Sequence, residues 1–179
     1  MTWKKLKSDK VFESKYFHLS VDECETSSGL RVPRYYVVDF PDWVQCVAVD
    51  EAGSLILVNQ YRYPGKGLFL EFPGGSTDAN RGEEPQVAAE RELLEETGHS
   101  SSEWIYLGSH YPNPALQTNR CHSYLALNCK KTAELNLDPF EELTVTKMSV
   151  EDYTKHCRTQ PQNHSLMLAT IFLALPYLK

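Results

Sequence analysis

Apolar and polar positions alternate through the first third of the chain. "YFHLSVDEC" and "RVPRYYVVDF" are rich in aromatic and β-branched residues and flank the polar, glycine-bearing "ETSSGL", which predicts a hairpin. "WVQCVAVD" and "SLILVNQYR" stand either side of "EAG" and predict a second pair of strands joined by a tight turn. "LFLEFP" adds a short apolar run. From Pro85 the period changes. Pro85 suits a first helical turn and Gly98 a C-terminal stop, so the spacing predicts a helix from about Pro85 to Thr97. "WIYLGSHY", "HSYLALNC" and "LTVTKMS" read as further strands. Ser149 with Asp152 three residues on marks a capped helix over "SVEDYTKHC", and "NHSLMLATIFLALPYL" closes the chain as a core-docking helix. The order is that of a mixed, β-rich α+β chain. A break near Pro41, in "FPDWV", divides an N-terminal β module, residues 1–41, from a main domain, residues 42–179.

Composition narrows the class. The 179 residues fit one domain with a small appendage. A net charge of -6 argues against a general nucleic-acid binder, which needs a basic stripe. Five cysteines, an odd number with no CxxC spacing, read as reduced thiols. No cysteine–histidine spacing suggests zinc. The basic start lacks an apolar signal core, and the C-terminal apolar run is too short to span a bilayer and carries Pro176. The expectation is a soluble, cytoplasmic protein without a membrane partner.

The predicted helix concentrates charge. "AAERELLEETG" holds Glu90, Glu92, Glu95 and Glu96, with Arg91 alone to offset them. Glu92, Glu95 and Glu96 share a face at i, i+3 and i+4, and Val87, Ala89, Leu93 and Leu94 fall on the opposite side, toward the core. A solvated face would interleave lysines, yet none occurs between Lys66 and Lys130. Like charges at i, i+4 and acids near a helix C-terminus both destabilise the helix. A divalent cation would offset them, and carboxylate oxygens suit magnesium or manganese. Just upstream, the adjacent glycines of "EFPGGS" permit a close backbone approach to a ligand. "DANRGE" imitates a calcium loop, but its glycine stands one position early and the twelfth position is Ala89, so calcium is rejected.

"GEEPQVAAERELLEETG" resembles the box of the Nudix hydrolases, G-x5-E-x7-R-E-U-x-E-E-x-G-U with U apolar. Glu83, seven residues, then Arg91-Glu92-Leu93-Leu94-Glu95-Glu96-Thr97-Gly98 follow that pattern. Two departures stand out: seven residues rather than five separate Gly75 from Glu83, and His99 takes the last apolar position. The extra residues leave the helix register intact, and His99 bears on packing rather than chemistry.

The resemblance implies a mixed sheet between helices and metal-dependent hydrolysis of a nucleoside diphosphate linked to another moiety, with magnesium as cofactor and manganese as substitute. It implies Glu92, Glu96 and Glu95 as metal ligands with the Gly74 carbonyl, Arg91 as the group orienting the box acids, and Glu83 as a supporting acid. "LVNQYRYPGKGLFLEFPGG" and Pro114, sixteen residues after Gly98, point to the ADP-ribose and nucleotide-sugar pyrophosphatase branch. That branch implies Arg62, Gly75, Ser76, Trp43 and Pro114 as substrate-binding residues. It also implies a homodimer through the N-terminal module. Glu141 or Glu142 in "LDPFEELTV" are the candidate bases, with Glu95 a further catalytic acid. Tyr16, Phe17 or Trp43 could stack on a nucleobase, and Arg34 could meet phosphate. The expected reaction yields a nucleoside monophosphate and a sugar phosphate from an ADP-ribose, ADP-glucose or GDP-mannose type of substrate. The alternatives are a housecleaning nucleoside-triphosphate or dinucleotide pyrophosphatase, and a non-catalytic nucleotide-sugar sensor.

Overall fold

The computed structural model describes residues 1–78, 82–160 and 163–178. The calcium-like "DANRGE" and the two-residue insertion fall partly on 79–81, outside the described residues. Two compact units emerge. The first comprises Met1–Asp42 with Tyr111–Arg120, the second Trp43–His110 with Cys121–Lys179.

The first unit is an antiparallel sheet of β1 (Lys4–Glu13), β2 (His18–Glu25) and β3 (Arg31–Asp39). The expected hairpin is its β2–β3 half. β1 escaped the sequence reading because every one of its residues is exposed, so no apolar alternation marks it. Residues 111–120 join this unit through Val38, whose N–H donates to Leu116 O at 2.8 Å and whose carbonyl accepts from Thr118 N at 3.2 Å.

The second unit is built on one mixed sheet. Its strands run β11 (Leu143–Met148), β5 (Leu55–Arg62), β4 (Trp43–Asp50), β10 (Cys121–Lys131) and β8 (His99–Ser100). β6 (Gly67–Glu71) pairs with β5, β7 (Gly74–Ser76) with β4, and β9 (Glu103–His110) with β10. β4 and β10 are parallel, and the other pairs are antiparallel. The central strands are apolar on both faces because both are covered. Val47, Val49, Leu55 and Leu57 meet Tyr153 of α2 (Val150–Thr159) and Leu166, Met167 and Ile171 of α3 (Ser165–Ala174). The alternate residues Cys46, Ala48 and Ile56 meet Leu93 of α1 (Pro85–Thr97). Period-two alternation therefore sorts one sheet between two helical layers.

Local chemistry explains the helix ends. α2 begins where Ser149 Oγ accepts the Asp152 N–H at 3.0 Å. α1 has Pro85 in its first turn and ends at Gly98, whose φ of 71° is left-handed and whose N–H donates to Leu94 O. A Cβ there would also lie 2.2 Å from Ala133 O, so both torsion and space require glycine. The helix face needs a correction. Ala89 and Leu93 are buried as expected, but Val87 and Leu94 are exposed and Ala88 is buried instead. α1 presents two small residues, Ala88 and Ala89, against Val44 and Tyr124, and this close seat rotates the inner face away from Val87.

Among the described residues, no helix is long and apolar enough to cross a membrane.

Candidate active site

β7 and α1 build the site between them. β7 lies on β4, with Gly74 opposite Gln45 and Gly75 opposite Val44. This brings the glycine pair under the middle of α1. The Gly74 N–H donates to Glu96 Oε2 at 2.9 Å. A Cβ on Gly75 would stand 2.3 Å from Glu92 Oε1, so only glycine leaves room for that carboxylate. Glu96 is 2% exposed, and the Glu92 side chain is 14% exposed. The acidic face of the helix is therefore largely turned inward.

Arg91 ties the remaining acids together. Its Nε donates to Glu83 Oε1 at 2.9 Å and Nη2 to Glu83 Oε2 at 3.2 Å. Nη1 reaches Glu92 Oε1 at 2.8 Å and Glu95 Oε2 at 3.0 Å, and Nη2 also reaches the Ser76 carbonyl. One guanidinium thus spans three carboxylates and the loop, the geometry its planar fork allows. Glu83, first of all, and then Glu92 and Glu95 hold it firmly protonated.

The electrostatics of the buried acids are strained. Burial, and then the charge of Glu92, push Glu96 up to about 9, although the Gly74 N–H acts the other way. Burial raises Glu92 to about 6 against the pull of Arg91. Two desolvated carboxylates resist simultaneous ionisation unless positive charge is supplied. The donor set suits a hard divalent cation, being carboxylate oxygens without thiolate or imidazole. Among the described residues no three ligating side chains already converge as a coordination shell; Glu92 and Glu95 are turned to Arg91, and the Gly74 N–H is turned to Glu96. The fit lies in residue type, burial and unmet charge.

Two further groups approach. Glu141, half-buried in the loop before β11, adds its charge to both Glu92 and Glu96. Its neighbour Glu142 is exposed. Arg62, at the end of β5, feels the charges of both Glu96 and Glu141. Sequence reasoning missed its partner Glu71, whose side chain is 2% exposed and receives Arg62 Nε at 3.2 Å and Nη2 at 2.5 Å. A lone glutamate in an apolar strand end, "LFLEFP", was the available signal, since an unpaired buried carboxylate is rarely tolerated.

Trp43 packs against the α2–α3 side of the core, away from α1. Pro114 is an exposed turn residue of the first unit. Phe17 packs between the rings of Phe12 and Phe40. Tyr16 is exposed, with Lys15 over its ring. Arg34 lines a shallow hollow of the first sheet with Lys7, Asp9 and Glu23. His99 is buried, its Nδ1 on the Thr97 carbonyl at 2.8 Å, in keeping with a packing role.

Residues 40–169 match the model of the NUDIX domain. The chain belongs to the Nudix family. An ADP-ribose pyrophosphatase of Bacillus subtilis (strain 168) is 30% identical over 153 residues, 85% of this chain and 81% of that protein. A methanol dehydrogenase activator of Bacillus methanolicus is 28% identical over 156 residues, 87% of this chain and 83% of that protein. A crystal structure of an ADP compounds hydrolase superposes with a TM-score of 0.84 over 99% of this chain and 95% of the other, at 22% identity, which shows the Nudix fold. This Nudix protein stands with the ADP-ribose pyrophosphatase branch and is a hydrolase acting on pyrophosphate bonds. Nudix pyrophosphatases use divalent metal ions, and the carboxylates of α1 fit that requirement.

Proposed function

We propose that this Nudix hydrolase cleaves the diphosphate linkage of a nucleoside diphosphate sugar, of the ADP-ribose, ADP-glucose or GDP-mannose type, to a nucleoside monophosphate and a sugar phosphate. The observation that carries the reading is the buried pair Glu92 and Glu96 set against Gly74 and Gly75, with Arg91 tying their neighbours to Glu83. Glu92, Glu96 and Glu95, with the Gly74 backbone, would hold magnesium, for which manganese would substitute. When bound, the metal supplies neutralisation of the diphosphate charge and an acidified water. The chain's own residues supply the rest. Glu141 takes the proton of the attacking water, because its charge already reaches both buried acids while Glu142 faces solvent. Arg62 orients the diphosphate, and Gly75 and Ser76 leave space for it along the loop.

The similarity to the Bacillus subtilis ADP-ribose pyrophosphatase supports ADP-ribose as the first substrate to try. All three box glutamates are present, which favours an enzyme over a silent sensor. We further propose that residues 1–41 form the dimer-forming module, and that the protein works as a cytoplasmic homodimer. A hydrolysis panel of ADP-ribose, ADP-glucose, GDP-mannose, UDP-glucose and ATP, with magnesium and products identified by mass, tests the assignment. Monophosphate plus sugar phosphate from a sugar nucleotide supports it. Turnover of ATP alone, or tight sugar-nucleotide binding without turnover, overturns it.

A further inference from the structure

Three elements end at one buried carboxylate. Glu71 is the last residue of β6, three residues before Gly74, and its side chain is 2% exposed. Arg62, the last residue of β5, gives it Nε and Nη2. His164, the residue before α3, brings Nδ1 to within 3.1 Å of Glu71 Oε1. The same first turn of α3 holds the next residue of the loop, since the Phe72 N–H points at Met167 Sδ across 3.0 Å. The segment that leads from β6 into the glycine pair is thus gripped at two successive residues by the start of α3.

Arg62 is not used up by this arrangement. A guanidinium has five N–H donors. Nε and Nη2 are committed to Glu71, while Nη1 makes no hydrogen bond among the described residues. The side chain is 43% exposed. Its charge acts on Glu96, and it feels the charges of Glu96 and Glu141 in turn. Burial alone would push the Glu71 carboxyl up, yet hydrogen bonds from His164 and Arg62 hold it below the ordinary range, so it stays an anion able to fix a cation. A long, flexible arginine fixed bidentately along one edge presents its other edge in a set direction.

We propose that Glu71 and His164 are positioning residues that hold Arg62 with its Nη1 edge toward the diphosphate of the substrate. The inference rests on reading Arg62 as a diphosphate contact. Glu71 touches no substrate in this scheme; it acts through Arg62, and His164 acts through Glu71.

The test is steady-state hydrolysis of ADP-ribose, or of the sugar nucleotide that the panel ranks first, with magnesium. It compares Arg62→Ala, Glu71→Gln, the double variant Arg62→Ala/Glu71→Gln, His164→Ala and His164→Asn, each checked by thermal melting. Arg62→Ala and Glu71→Gln should each lower kcat/KM by about tenfold or more, and the double variant should match Arg62→Ala within about twofold. His164→Ala should show a smaller loss, restored by His164→Asn, whose amide N–H stands close to the place of Nδ1. Multiplied effects in the double variant, or near-normal kcat/KM for folded Glu71→Gln, would overturn the proposal. If Arg62→Ala alone is near normal, the diphosphate reading of Arg62 fails first and the proposal falls with it. If Glu71→Gln does not fold, the histidine pair decides: rescue by asparagine supports positioning, and an unimpaired His164→Ala overturns it.

Discussion

The N–H of Gly74 donates to Oε2 of Glu96 across 2.9 Å, joining two residues twenty-two positions apart at the least exposed carboxylate of the helix. The bond couples the glycine loop to the box helix through a group that, in the proposed function, also carries charge when a cation binds. Most of what can be tested about the site follows from that double duty.

Glu96→Gln keeps an acceptor for Gly74 and removes the charge. The fold should survive, and turnover with magnesium should fall by about a hundredfold or more, roughly 2.7 kcal/mol in the barrier. Circular dichroism together with steady-state kinetics checks both halves. Near-normal magnesium-dependent rates would show that Glu96 is not a ligand.

Gly75→Ala tests the space above the loop. The added Cβ would sit 2.3 Å from Glu92 Oε1, so the carboxylate must move. Weaker magnesium dependence, with the apparent metal affinity down by about tenfold and little change in melting temperature, is the expected result. A magnesium titration of the rate measures it, and an unchanged midpoint would mean that Glu92 has freedom to yield.

Glu141→Gln should lower kcat more than it raises KM, because a proton acceptor acts in the transition state rather than in binding. Glu142→Gln, on an exposed side chain, should stay within about twofold of the parent. The reverse ranking moves the base by one residue.

The pH dependence follows from the raised acids. Glu96 is held up to about 9 in the folded chain, against 4.5 as its ordinary value. A proton is therefore bound more tightly in the folded than in the unfolded state. Its stabilisation is fully present below about 4.5 and is lost as pH rises through about 9. The metal-free protein should become less stable across that window relative to Glu96→Gln, which lacks the titration. Denaturant melts of both proteins from pH 5 to 9.5 should show a difference that changes steadily with pH, and a fixed difference would overturn the prediction. Magnesium uptake should release protons at pH 7.5, seen by calorimetry in buffers of different ionisation enthalpy; uptake without release would mean that Glu96 is already ionised.

Local signals were legible in the sequence wherever they act through neighbours along the chain. Pro85, Gly98 and Ser149 fixed helix ends because caps and left-handed torsions are properties of a few adjacent residues. The charge density of Glu90–Glu96, unrelieved by lysine, announced a site because a helix places i, i+3 and i+4 together whatever lies around it. β1 was silent since exposed residues need no apolar pattern.

The sequence by itself marked the candidates: the glycine pair, Arg91 and the box glutamates, by motif and by helical spacing. Only the tertiary structure decided how they meet. It chose Ala88 over Val87 for the inner face, because the width of the seat belongs to Val44 and Tyr124 as much as to the helix. It packed Trp43 against the α2–α3 side of the core, left Glu141 half-buried beside an exposed Glu142, and brought His164 to the Glu71 carboxylate ninety-three positions away. Such relationships depend on sheet order and on what lies on the far side of each strand, which no local period encodes.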